Sequence, residues 1–193
     1  MNSLLETIKT NPQVKSIAIT GALMSLTKVI DFSKPYLLLP LRISYAVVTL
    51  IQVGLFFYTK TIIQKKNDLT VLKYVEPASP ISGREHAKFV ATTIREYDLN
   101  KLLASFKQML ITICTTMFMH LYMGYAPPLL FQLVSAIRGF LDENEMKIHL
   151  LNKPATDDLK RPFKSGGLLA SYGQVLTDKR SVEEAELTKL KPN

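Results

Sequence analysis

Three apolar stretches with few charges, Val14–Ile30, Ile43–Thr59 and Gln108–Ala126, constrain this chain more than any other feature. Each is 17 to 19 residues long, at the short end of what a helix needs to cross a hydrocarbon layer about 30 Å thick. A water-soluble protein of this size interleaves polar residues through such runs at helical or strand spacing. The expected fold is therefore all-α: a small polytopic membrane protein with three transmembrane helices. Overall composition hides this, because apolar spans alternate with strongly charged segments.

The chain has 193 residues, which leaves no room for a large soluble domain once three spans are assigned. Its single cysteine, Cys114, lies inside the third stretch, so neither a disulfide framework nor a thiol-based zinc site is expected. His86, His120 and His149 are too far apart for a local metal motif. A Gly-rich phosphate loop and a Gly-x-Ser-x-Gly elbow are both missing from the sequence. These features argue against an enzyme, and no cofactor or metal is expected.

Residues 1–12 read as a short interfacial helix or a frayed terminus. No small-residue cleavage site follows Ile30, so the first span is expected to stay in the mature protein. Lys34, Pro35 and Pro40 mark a turn into a second span at about 43–60. A polar segment, 63–102, comes next. Its first part, Asn67 to Val75, is expected to continue the helix until the Pro- and Gly-containing run from Glu76 to Gly83 breaks it. Phe89–Ile94 fits a strand or a helix equally well. Asp98 is the expected N-cap of the third helix, at about 103–126. Pro127-Pro128 ends that helix, and the apolar segment at about 128–141 is short enough to be a fourth crossing or a re-entrant segment. Ser181 with Glu184 forms a capping-box pattern for a last helix, Val182–Leu190. Residues 1–141 thus read as a membrane domain and 142–193 as a charged tail.

Basic residues set the orientation. Segment 63–102 holds seven Lys/Arg and 138–193 holds ten, which places both in the cytosol by the positive-inside rule. Both can be cytosolic only if the segment at 128–141 returns the chain across the membrane; a three-span protein with a basic lumenal segment is the alternative.

Polar residues within the spans share helix faces. Arg42, Tyr45, Thr49, Gln52 and Thr59 lie on one face of the second span. Gln108, Thr112, Thr116 and His120 step by four through the third, and Ser16, Thr20, Thr27 and Asp31 keep similar phase in the first. An unpaired amide in hydrocarbon costs roughly 4–8 kcal/mol, so these faces turn toward protein or water. Two readings follow: hydrogen-bonding contacts between helices, or a water-accessible groove in which Tyr45, Thr49, Gln52, Thr112, Thr116 and His120 meet a client polypeptide. Arg42, Lys28 and Lys60 lie near span ends, where they can snorkel to headgroups.

Several strings carry a family resemblance: Lys66-Asn67-Asp68-Leu69-Thr70, Lys73-Tyr74-Val75-Glu76-Pro77, Arg95-Glu96-Tyr97-Asp98-Leu99, Phe118-Met119-His120-Leu121-Tyr122, and Lys147-Ile148-His149-Leu150 followed by Asp158-Leu159-Lys160-Arg161-Pro162-Phe163-Lys164. Together they resemble a fungal membrane protein family of the endoplasmic reticulum. It is called the inorganic phosphate transport protein family, and also the third component of the SRP-independent (SND) targeting route. The resemblance covers about Asn11 to Glu186 and brings no catalytic residues. It implies an endoplasmic reticulum location and a role in delivering or inserting membrane proteins, with Sec translocon components, other SND components, the ribosome and membrane-protein clients as partners, and no DNA. Lys65, Lys66, Lys160, Arg161 and Lys164 are the expected cytosolic basic contacts. A non-inserting scaffold or receptor is the alternative. Direct phosphate transport fits less well, because the cations sit at span ends rather than at mid-membrane.

Overall fold

The computed structural model describes residues 12–32, 34–76, 87–163 and 175–190, which are mostly helical. Residues 1–11, the break at Pro77–Gly83, Gly166-Gly167 and Lys164 lie outside the described residues. The chain divides into two compact units. The first comprises Met1–Leu55 and Lys107–Leu141, the second Phe56–Phe106 and Asp142–Asn193.

Helix α1, Pro12–Val29, starts with proline at its first helical position, where the missing N–H costs nothing. Helix α2, Pro35–Lys66, begins eight residues before the expected span. The turn is confined to Asp31–Lys34, where the Lys34 N–H reaches the Asp31 carbonyl at 3.4 Å, and Pro35–Pro40 is already helix. Pro35 occupies the first helical position, and Pro40 sits early enough that only the bond to the Tyr36 carbonyl is forgone. The helix ends at Lys66 because Asn67 takes a left-handed conformation, φ 44°, with its N–H still bonded to the Ile63 carbonyl at 3.2 Å. Contrary to the expectation from the sequence, Asn67–Val75 does not prolong the helix. Val71–Glu76 instead forms strand β1, paired antiparallel with β2, Lys88–Thr93, in a register running from Val71 opposite Thr93 to Glu76 opposite Lys88. The fold is thus mostly α with one hairpin, and the ambiguous Phe89–Ile94 segment is strand through Thr93.

Helix α3, Ile94–Leu121, follows directly. Its N-cap is Thr93, whose Oγ1 accepts the Glu96 N–H at 3.2 Å, so Asp98 is not the cap. Gly124 (φ 68°) closes α3, with the Tyr125 N–H reaching back to the Met119 carbonyl at 3.1 Å. Helix α4, Pro127–Asp142, again opens on proline, and the short α5, Asn144–His149, follows. The last helix, α6, Lys179–Leu190, is capped by Asp178, not Ser181: Asp178 Oδ2 accepts the Ser181 N–H at 2.9 Å.

Two of these helices, α2 and α3, are long and apolar enough to cross a membrane. Only 22% and 11% of their most apolar windows are buried within the chain, unlike the core helix of a soluble protein. The first expected span, Val14–Ile30, falls on α1, Pro12–Val29, whose apolar part, Ile17–Val29, is shorter than this standard. In the second unit, Tyr74 of β1, Tyr97 of α3, Ile148 of α5 and Phe163 form a core, with Leu72, Val90 and Leu159 against it. The Tyr97 ring lies edge-on to Tyr74 at 5.8 Å and tilted to Phe163 at 5.5 Å.

Replacing Thr93 by Ala should destabilise the second unit by about 1 kcal/mol through loss of the α3 cap. Hydrogen exchange of the Glu96 amide in detergent-solubilised protein checks this.

Candidate functional site

The polar face of α2 changes partners along its length. Near its start, Arg42 Nε donates to His120 Nε2 of α3 across 2.9 Å. An accepting nitrogen needs a lone pair, so this imidazole carries its proton on Nδ1, which points to the Tyr125 carbonyl 3.4 Å away. One turn along α2, the buried Tyr45 hydroxyl has Thr49 and Thr116 as polar neighbours but makes no well-aligned hydrogen bond. Beside these groups the first unit has an open cleft of about 580 Å³, lined by Arg42, Tyr45, Thr49 and His120 and, for most of its wall, by apolar residues such as Leu50 and Met117.

Further along, the stripe is occupied by packing. Gln52 is buried, and its Nε2 donates to the Ala136 carbonyl of α4 at 3.0 Å. Thr112 Oγ1 turns back to the Gln108 carbonyl of its own helix at 2.9 Å. Thr59, fully buried in the second unit, contacts the Met146 sulfur at 3.3 Å. Of the six groove candidates, Tyr45, Thr49 and His120 line the cleft and Thr116 lies buried beside Tyr45. Gln52 and Thr112 hydrogen-bond to backbone elsewhere.

The second unit holds a buried ionic cluster. Asp98, on α3 before its apolar part begins, is 1% exposed. Its Oδ1 accepts Arg161 Nε at 2.7 Å, and its Oδ2 accepts Arg161 Nη2 at 2.6 Å and His149 Nε2 at 2.7 Å. Burial pushes the Asp98 pKa up, but the hydrogen bonds and charges of His149 and Arg161 outweigh this and hold it below its ordinary value. Arg161 is thereby committed inside the protein, whereas Lys65, Lys66 and Lys160 are exposed and Lys164 lies outside the described residues. Nearby, burial first and the Glu145 charge second raise Glu143 to about 7. Burial also raises Glu145. Sequence reading missed this cluster. His149 and Arg161 appear in the resembling strings, but nothing local pairs them with Asp98, 51 and 63 residues away. Among the described residues, no three His, Cys, Asp or Glu side chains are placed to hold a metal.

Two long apolar helices, little of whose most apolar stretches is buried within the chain, point to membrane association. The chain belongs to the phosphate transport (Pho88) family, whose profile matches residues 10–191. It is 71% identical, over the full length of both chains, to a protein of Schizosaccharomyces pombe named SRP-independent targeting protein 3 homolog. It is 42% identical, over 91% of this chain and 94% of the other, to SRP-independent targeting protein 3 of Saccharomyces cerevisiae. An uncharacterised S. pombe protein is 35% identical over 79% of this chain and 76% of its own. The two targeting-protein names describe targeting and not an enzyme. No solved structure matches the chain.

Asp98→Asn should destabilise the second unit by about 3 kcal/mol, because Arg161 is left buried with its charge uncompensated. Folding lowers the Asp98 pKa, so its contribution is complete above the ordinary carboxylate range and is lost as pH falls through the lower folded value. Glu143 has the opposite sign: its contribution is full below 4.5 and is lost as pH rises through about 7. Glu143→Gln should therefore flatten the loss of stability between these values. At pH 8 it should add about 1–2 kcal/mol, allowing for partial exposure, as read by thermal denaturation in detergent.

Proposed function

We propose that this chain is a multi-pass protein of the endoplasmic reticulum membrane that serves SRP-independent targeting of membrane proteins and acts as an insertase beside the Sec translocon. The names of its relatives support the targeting role. The observation that carries the insertase reading is the cleft, where Arg42, Tyr45, Thr49 and His120 interrupt an otherwise apolar surface. A client's hydrophilic flank would pass along these groups while its apolar helix partitions into lipid. Each polar group met on the way lowers the cost of stripping water from the flank.

The second unit supports a particular topology. Asp98 and Arg161 touch, so they occupy one side of the membrane, yet α3 and α4 lie between them in sequence. A crossing by α3 therefore requires α4 to bring the chain back. The 16 residues of α4 extend only about 24 Å, less than a usual hydrocarbon layer, and the bilayer adapts to a short span by thinning. A thin bilayer beside a polar cleft reduces the distance a client flank must travel. Segments 63–102 and 142–193 then share the cytosolic face, where Lys65, Lys66, Lys160 and Lys164 offer contacts to anionic headgroups, the ribosome, translocon components and other SND components. Exposed Lys65, Lys66 and Lys160 favour a second reading, a docking scaffold that moves no client. Direct phosphate passage is disfavoured, because the cleft holds one guanidinium rather than a cluster.

Purified protein in liposomes should speed insertion of a client with a short translocated flank. Combining Thr49→Leu with His120→Leu should slow it about tenfold without loss of membrane residence. Normal insertion by that variant, with loss of function on charge reversal at Lys65, Lys66, Lys160 and Lys164, would establish the scaffold instead. Glycosylation acceptors placed near Ser79 and near Ser171 should both stay unmodified in endoplasmic reticulum membranes. Modification of either overturns the returning α4.

A further inference from the structure

We propose that the cleft of the first unit is a binding site for a glycerophospholipid, with the phosphodiester on Arg42 and one acyl chain along the apolar wall between α2 and α3. The proposal rests on the membrane placement in the preceding reading, and not on client insertion.

The cleft is polar at one end and apolar along its length. Arg42 stands at the boundary of the apolar stretch Ile43–Thr59, and the wall continues along α2 through Ala46 to Leu50. Eight residues of helix extend about 12 Å, so the charge sits at the mouth of a trough that runs toward the bilayer interior. Ile113 and Met117 of α3 line the opposite wall. A phospholipid in a membrane has the same arrangement, with charge at the interface and hydrocarbon inward. The volume, about 580 Å³, lies within the roughly 300–1,000 Å³ range of ligand sites.

Arg42 is oriented for this ligand. His120 takes the Nε–H at 2.9 Å and is itself directed by the Tyr125 carbonyl. Among the described residues no carboxylate pairs with Arg42. The terminal N–H groups of its guanidinium are therefore available as a planar fork, the geometry that grips two phosphate oxygens together. His120 is a positioning residue here, because it holds the fork's angle without touching the ligand. A bound lipid would occupy the path assigned to a client flank, so client entry requires its displacement.

The experiment uses full-length protein in phosphatidylcholine vesicles containing either of two probes. One is phosphatidylcholine with a diazirine near the end of one acyl chain, the other a diacylglycerol carrying the same chain. The phosphatidylcholine probe should label Ile113 and Met117 about tenfold more than the diacylglycerol, a margin in the range of charge-assisted hydrogen bonds. Arg42→Gln should abolish the excess, Arg42→Lys should keep part of it, and Ala46→Phe should remove it by filling the trough with Arg42 intact. Exposed Val47 and Ile111 should label equally with both probes in every variant. Equal labelling of Ile113 and Met117 by the two probes, or an unchanged excess in Arg42→Gln, overturns the site in favour of bulk lipid. Loss of the excess on adding millimolar inorganic phosphate overturns it in favour of a free-anion site. Loss of labelling at Val47 and Ile111 overturns the membrane placement itself, a result distinct from a failed insertion assay.

Discussion

The second unit is organised around one carboxylate. Asp98 accepts both arms of the Arg161 guanidinium and the His149 imidazole while almost wholly shielded from water. A buried charge costs several kcal/mol unless its partners are well placed, so all three groups must arrive together for any of them to be tolerated. They come from the beginning of α3, the end of α5 and the segment before Phe163, and their meeting brings Tyr97, Ile148 and Phe163 into one core with the hairpin. Two parts of the chain that look like an independent loop and tail form one body.

The polar face of α2 shows how one stripe can serve several purposes. Its residues share a phase, but their surroundings differ: the cleft at Arg42 and Thr49, the α4 backbone at Gln52, and a buried sulfur at Thr59. The Gln52 bond to the Ala136 carbonyl holds α4 against α2 with a group that hydrocarbon alone cannot satisfy. Closing part of the stripe in this way confines the unsatisfied polar surface to a short region near Arg42.

How far the sequence alone reaches depends on how local the deciding interaction is. The long apolar helices were legible because composition over some twenty residues determines them, and Tyr45, Thr49 and His120 were legible as one-face positions because helical period is local. The start of α2 was misjudged because prolines at Pro35 and Pro40 read as a break, although both fall where a helix tolerates them. Thr93 and Glu96 have capping-box spacing, so the α3 cap is legible in the sequence, although Asp98 is also a residue type that caps helices. Strand β1 was invisible because its partner lies beyond the Pro- and Gly-containing segment. The Asp98 cluster could not be read at all, because only the tertiary fold decides that a carboxylate at 98 meets a guanidinium at 161.

The 63 residues between Asp98 and Arg161 also impose a timetable. At about 5–20 residues per second of synthesis, roughly 3–13 seconds separate the two, and α3, α4 and α5 are made in between. During that interval the carboxylate has no guanidinium and the core lacks Phe163, so the second unit cannot close. The long apolar helices α2 and α3 are therefore complete several seconds before the second unit can close.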